Sequence, residues 1–350
     1  SYLNNIIGGS NPCFIIAEVG QNHQGDIEIA KKLIKDAGAS CVKFQKTCIN
    51  EKFTKKYLER PYDTPNSWGK TYGEHKRHLE FNESQYRELY KYAHELGIPF
   101  TASAMDMVSF DFLVNLNVPF IKIGSGDSNN LLFLKYAASK QIPLIISTGM
   151  VDKSAVKTIY DIVSAQHKQF CLLHCISAYP VPFEDCNLTV LQDYKHTFDV
   201  PVGYSGQEVG TAVALGAVAL GAKILEKHIT LDKSMKGTDH VCSLTPAELK
   251  QLVRDVRVIE ASLVSPVIFT GSSISHLLSN VTEIPCIDKL QKSLVMGSTK
   301  NKGEILYPGD VKIKVAEPKG LNALHFEEVI YKTLVYDKKE DEPLNLGDFC

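Results

Sequence analysis

The chain has 350 residues, 44% of them apolar and 22% charged, and a formal net charge of −2. That length carries a sizeable core, and the near-zero charge argues against nucleic acid or an anionic membrane as main partner. Nine cysteines without a framework, no charged-then-apolar leader and no run of about 18 apolar residues are read as a reduced, cytoplasmic chain that does not cross a membrane.

Cys13–Glu18 (CFIIAE) is a continuous apolar run ending in a carboxylate, the form of a fully buried strand. The loop VGQNHQGD, which holds His23, leads to a helix from Asp26 to Asp36. Cys41–Gln45 reads as the second strand, 50–81 as a long polar insertion with the single Trp68, and Glu83–Leu96 as a helix. Pro99–Ser103, Pro119–Ser125, Pro143–Ser147 and Phe170–Cys175 continue the strands, with a helix over Phe110–Leu116. Pro201–Tyr204 and Lys223–Glu226 flank the helical run Thr211–Gly221, a βαβ unit with a polar tip after each strand. The N-x-Ser/Thr triplets at Asn82, Asn187 and Asn280 are taken as chance without a secretory signal.

Eight strands, mostly separated by helices, predict an α/β fold of the (β/α)8 TIM-barrel type, with its chemistry at the C-terminal strand ends. A doubly wound open sheet is the alternative, but its nucleotide-binding form wants a G-x-G-x-x-G turn where this chain has VGQNHQGD. The barrel is placed at 1–264, closed by a helix from Pro246 to Leu263, followed by a linker at 265–286. Short alternating runs broken by Lys-Gly-Glu and Pro-Gly-Asp predict a small β-rich domain over 287–350.

The polar residues at the eight tips are Glu18; Lys43 and Gln45; Ser103; Lys122, Ser125 and Asp127; Ser147; His174, Ser177 and Tyr179; Ser205 and Gln207; and Glu226, His228 and, just beyond, Asp239. Lysines and hydroxyls in one ring suit phosphate or carboxylate oxygens. The plainer reading is a structural polar network, with His228 a core histidine, His23 a turn residue and Glu226 the partner of a lysine. Two chemistries compete. A Schiff-base aldolase or lyase would use Lys122 or Lys43 as nucleophile. A metal-assisted carbon–carbon condensation accounts better for the hydroxyls and His228.

FIIAEVGQNHQGD, VKFQK, SWGKTYGEHKRHLEF, FIKIGSGDSNN, IISTGM, HCISAYPVPFEDCNL, VGYSG, LEKHITLDKSMKGTDH and KGEILYPGDV together resemble the sialic acid synthases over nearly the whole chain. SWGKTYGEHKRHLEF is most similar to the animal branch, the N-acylneuraminate-9-phosphate synthases. The resemblance implies a barrel followed by an antifreeze-like (SAF) domain. It also implies condensation of phosphoenolpyruvate with N-acetylmannosamine, its 6-phosphate or mannose 6-phosphate, with release of phosphate. By motif match, Lys43, Lys122, Ser125, Ser147, Ser177 and Ser205 are expected around phosphoenolpyruvate. Glu18 and Asp239 are expected as the catalytic residues, Glu18 near the reacting sugar and water, and Gln45, Tyr179 and again Asp239 around the sugar. The basic run Lys76, Arg77 and His78 suits a 6-phosphate, or is a solvated charged face. His228 is expected to hold a divalent metal, Mn²⁺ or Mg²⁺, and the partners implied are these substrates and a second copy in a domain-swapped homodimer.

Three departures accompany the resemblance. Gln207 stands where the family has its other metal histidine, which leaves open a weakened homologue that binds sugar or phosphate but turns over poorly. The first barrel helix is about three residues short, a change of about 60° around the helix that the Asp36–Gly38 turn has to absorb. Glu317 precedes Pro318 where bacterial relatives have Arg, and Lys319 is a weak substitute.

Overall fold

The computed structural model describes residues 7–263 and 284–350. The chain divides into two compact units, Ser1–Val264 and Ser265–Cys350. In the first, eight parallel strands close into a barrel in chain order. They are β1 (Phe14–Gly20), β2 (Cys41–Lys46), β3 (Phe100–Ala104), β4 (Ile121–Ile123), β5 (Leu144–Ser147), β6 (Phe170–Cys175), β7 (Val202–Gly206) and β8 (Ile224–His228). β1 pairs with β2 on one side and β8 on the other, which completes the ring.

Strand side chains alternate between the barrel interior and the helical layer. Phe14, Ile16, Cys41, Phe120, Ile145, Cys171, Leu173 and Ile224 form an apolar plug inside the barrel. Two residues further along the same strands stand Glu18, Lys43, Lys122, Ser147, Cys175 and Glu226, so the polar layer rests on an apolar floor. The residues between them, such as Ala17, Val42, Ile121, Ile146, Leu172 and Leu225, face outward into the main core.

Side-chain caps set several helix starts. Asp26 accepts from the backbone N–H groups of Glu28 and Ile29, and Asp106 and Asp152 cap the helices Met107–Asn115 and Lys153–Ser164. Asn82 caps Glu83–Glu95 in a reciprocal box with Gln85, so its side chain is engaged in the fold. The first helix spans Ile27–Asp36, and Gly38 with φ +58° makes the turn that follows. The 50–81 insertion is half helical, with short helices at Ile49–Lys52, Lys55–Glu59 and Tyr72–Leu79.

The linker expected at 265–286 lies outside the described residues except for its last three, which belong to the helix Ile284–Leu290. The second unit has one regular antiparallel ladder, β9 (Ser293–Met296) with β10 (Val311–Lys314). Isolated bridges and short 3₁₀ turns make up much of the rest. Its core is Leu294, Met296, Leu306, Val311, Val329, Leu334 and Leu344. Among the described residues no helix is long and apolar enough to cross a membrane.

Candidate active site

A cavity of about 420 Å³ opens at the C-terminal ends of the barrel strands. Glu18, Lys43, Gln45, Lys76, Lys122, Ser125, Ser147, Ser177, Tyr179, Ser205, Gln207, His228 and Asp239 all line it, together with Ser103 and Glu226. Register brings them to one level: Glu18 sits opposite Lys43 on β2 and His228 on β8, Ser103 opposite Lys122, and Ser205 opposite Glu226.

Four buried charges form the floor of this cavity. Lys43 Nζ lies 2.5 Å from Glu18 Oε2 and 3.7 Å from Glu226 Oε1, and Lys122 Nζ lies 3.7 Å from Glu226 Oε2. Each lysine also donates to a serine hydroxyl, Lys43 to Ser103 at 2.8 Å and Lys122 to Ser147 at 2.6 Å. Ser205 donates to Glu226 at 3.0 Å, and Gln45 Nε2 to Glu18 Oε1 at 3.1 Å. Two cations and two anions leave the floor formally neutral, the condition under which such burial is tolerated.

The four do not titrate alike. Burial raises the Glu18 pKa, against the attraction of Lys43 and with the repulsion of Glu226 behind it. Burial also acts on Glu226, but Lys122 and Lys43 outweigh it and its pKa falls. Burial opposes the Lys43 cation, yet Glu18 and Glu226 raise its pKa, whereas for Lys122 burial prevails over Glu226 and the pKa drops. Glu18 is therefore the carboxylate with the stronger hold on a proton.

The serine side of the cavity depends on Gly149. Its N–H donates to Ser125 Oγ at 3.0 Å. A Cβ there would stand 2.5 Å from Ser177 Oγ and 2.7 Å from Ser125 Oγ. Only glycine lets both hydroxyls crowd the turn after β5, which is what the TGM triplet encodes.

On the opposite side, Gln207 Oε1 and His228 Nδ1 are buried without a hydrogen-bond partner. Asp239 Oδ2 stands 4.0 Å from His228 Nδ1, and the Tyr179 ring meets the His228 ring edge-on at 6.1 Å. The described residues hold no group of three His, Cys, Asp or Glu suited to a metal. An orphaned imidazole nitrogen and an orphaned amide oxygen lining one cavity are nevertheless donors that Mn²⁺ or Mg²⁺ accepts, with water completing the shell.

Four expected residues lie elsewhere, among them His78, whose ring stacks on Trp68 with centroids 5.2 Å apart. Arg77 does not reach this cavity; it lines a separate cleft with Lys46, Glu80 and Asn82. Neighbouring helix residues point about 100° apart, so Lys76 faces the cavity and Arg77 turns away. His174 has outward parity on β6, and its Nε2 lies 2.8 Å from the Cys186 carbonyl. Asp127 sits in the 3₁₀ turn after β4, outside the cavity lining. His23 is the turn residue of the plainer reading, stacked on Phe81 with ring centroids 4.1 Å apart and Nδ1 accepting from the Gly25 N–H.

Sequence reasoning missed Gln21 and Lys52 in the lining, and also the pair Lys227–Glu208. That pair is fully buried behind the cavity at 2.9 Å, and Tyr204 OH donates to the other Glu208 oxygen at 2.8 Å. A lysine inside the strand ILEKH, one step from two inward residues, was the available signal. A larger cavity of about 680 Å³, lined by Pro99, Pro119, Pro143 and their neighbours, lies at the N-terminal ends of β3–β5 and contains none of the polar tips.

The chain is 50% identical over 342 residues to the N-acetylneuraminate-9-phosphate synthase of Homo sapiens, covering 97% of this chain and 93% of that one. It is 46% identical over 363 residues to the enzyme of the same name from Drosophila melanogaster, covering 98% of each. The structure matches that of an N-acetylneuraminic acid (sialic acid) synthetase from Leptospira borgpetersenii, crystallised with citrate. That match has a TM-score of 0.69 and 31% identity, and covers 81% of this chain and 94% of the other. With residues 29–267 matching the family model as well, the chain belongs to the NeuB family.

Proposed function

We propose that this chain is a transferase of sialic acid biosynthesis. It condenses phosphoenolpyruvate with N-acetylmannosamine 6-phosphate, forms N-acetylneuraminate 9-phosphate and releases inorganic phosphate by C–O cleavage. The observation that carries the reading is the buried floor of Lys43, Lys122, Glu18 and Glu226 ringed by serine hydroxyls, in a chain half identical to enzymes of that name.

In this reading Lys43 and Lys122, with Ser125, Ser147, Ser177 and Ser205, bind the phosphate and carboxylate of phosphoenolpyruvate. Gln45, Tyr179 and Asp239 orient the open-chain sugar so that its aldehyde carbon faces carbon 3 of the enol. Gln207 and His228 would hold a divalent ion, Mn²⁺ or Mg²⁺, which when bound would supply Lewis-acid polarisation of the aldehyde. A bond forms between carbon 3 and the aldehyde carbon, and water adds at carbon 2. Glu18, the more basic of the two floor carboxylates, takes the proton from that water. The carbon 2–oxygen bond then breaks and phosphate departs, so the atoms of both substrates and one water appear in the two products.

The second unit is read as an SAF, antifreeze-like domain that caps the site of a partner subunit in a homodimer, and the chain as cytoplasmic. The support is the family resemblance together with cysteines that are all unpaired in the structure. Solution mass with and without residues 287–350 tests the dimer. The reaction is tested by phosphate release with Mn²⁺ across N-acetylmannosamine 6-phosphate, N-acetylmannosamine and mannose 6-phosphate, with ¹⁸O in the bridging position of phosphoenolpyruvate. Label recovered in the released phosphate is expected. No release at high enzyme concentration rejects the reaction, and unlabelled phosphate rejects C–O cleavage.

A further inference from the structure

The hydrogen bonds around Gln207 leave its amide one orientation. Ser205 Oγ gives its single proton to Glu226 Oε1 at 3.0 Å, so towards Gln207 it can only accept. Gln207 Nε2 faces it at 3.5 Å. That leaves Oε1 as the free end, buried and without a partner, as His228 Nδ1 is. Such an oxygen and such a nitrogen keep a fixed separation only if the backbone behind them is fixed.

The fixing comes from outside the cavity. Lys227, the residue before His228, has outward parity on β8, and Glu208, the residue after Gln207, folds back to meet it. Lys227 Nζ donates to both the carboxylate and the main-chain carbonyl of Glu208, at 2.9 and 2.7 Å, and Tyr204 OH donates to the other carboxylate oxygen. The return is so tight that a Cβ on Gly206 would stand 2.6 Å from Glu208 Oε2 and 2.7 Å from the Tyr204 ring. The Val181 N–H donates to the Gln207 carbonyl at 3.2 Å and the Leu244 N–H to the His228 carbonyl at 2.8 Å. A buried ion pair gains little net stability over packed apolar side chains of similar volume. What this one supplies is direction, because two donors and a carboxylate with both oxygens engaged accept few geometries.

We propose that Glu208 and Lys227 are positioning residues for the divalent ion: by clasping the end of β7 to β8 they set the separation of Gln207 Oε1 and His228 Nδ1. The proposal rests on the reading above in which those two side chains would hold Mn²⁺ or Mg²⁺. Neither Glu208 nor Lys227 lines the cavity, so each acts through its neighbour in the chain.

Mn²⁺ is titrated calorimetrically into the full-length wild type, His228→Ala, Lys227→Arg, Tyr204→Phe and the double variant Glu208→Met/Lys227→Met, and each is also unfolded in urea. Two methionines replace the pair without stranding a charge. The double variant is therefore expected to keep a urea midpoint near that of wild type, while its Mn²⁺ affinity falls about tenfold to a hundredfold. Lys227→Arg keeps the charge and the donors and should retain most of the affinity. Tyr204→Phe keeps the pair but releases one Glu208 oxygen, and should lose about threefold to tenfold. A folded double variant that binds Mn²⁺ like wild type overturns the proposal, as does a Lys227→Arg no better than the double variant. If the double variant does not fold, Tyr204→Phe decides: a loss of affinity in a folded chain supports the clasp, and wild-type affinity overturns it. His228→Ala separates the proposal from the reading beneath it. If that variant binds Mn²⁺ as tightly as wild type, the ion is held elsewhere and both fall; if it alone loses affinity, only the role of the clasp is wrong.

Discussion

Lys227 and Glu208 meet at 2.9 Å with neither side chain reaching solvent, and Lys227 Nζ also donates to the Glu208 carbonyl at 2.7 Å. The pair ties the loop after β7 to β8, so Gln207 and His228, each one residue away, are held by the same clasp. Removing one partner strands the other charge. Lys227→Met should cost about 3–5 kcal/mol, and a compensating Glu208→Gln in the same chain should return part of that. Urea denaturation of the single and double variants measures it.

The turn after β5 makes a sharper test of the phosphoenolpyruvate site. In Gly149→Ala the new methyl carbon meets Ser177 Oγ and Ser125 Oγ well inside contact distance. Displacing two hydroxyls by such an amount should lower kcat/KM for phosphoenolpyruvate by about tenfold to a hundredfold. Steady-state kinetics at saturating sugar gives the effect, and a thermal melt checks that the barrel survives.

Gln207→His replaces an amide oxygen with an imidazole beside His228. Imidazole is the better ligand for Mn²⁺, so affinity should rise on the order of tenfold. Calorimetric Mn²⁺ titration reads this without reference to turnover. Unchanged affinity would mean that position 207 does not face the ion.

Lys76 gives a pH signature. Its folded pKa of about 8 is depressed from an ordinary 10.5, first by burial and then by Lys52. Between those values the unfolded chain holds more protons, so this residue makes stability rise as pH climbs through that window. Binding runs the other way, because the ammonium is present below about 8 and lost above it. With a phosphate monoester gaining its second charge near about pH 6, affinity for the sugar phosphate should peak between these limits. Lys76→Arg should flatten the alkaline decline, since guanidinium stays charged. Calorimetric affinities from pH 5.5 to 9.5 trace both limbs, the quoted range being about that needed to bracket the two transitions.

Much of the barrel was legible because its strands are short apolar runs that each end in polar residues. Two-residue alternation then explains why Ile16 and Glu18, or Ile224 and Glu226, belong to one inward face. The same parity argument places His174 outside, and a list of tip residues without parity could not see this. Lys76 and Arg77 differ by one step on a helix whose facing direction depends on tertiary packing, so the basic run alone could not separate them. Lys52 and Gln21 come from an insertion and a loop, where no period marks a wall. In sequence Lys227 stands only as a polar residue just after the eighth predicted strand, because its partner Glu208 lies 19 residues away.

The closure of β1 on β8 has a consequence for how the molecule forms. Glu18 and Lys43 are neighbours early in the chain, but Glu226, which faces both Lys43 and Lys122, belongs to the last strand. A nascent barrel ending before β8 would enclose two lysines with one carboxylate and leave β1 with an open edge. Charge balance and strand pairing are thus completed by the same late segment, so partial barrels are penalised twice and assembly is driven towards all or nothing.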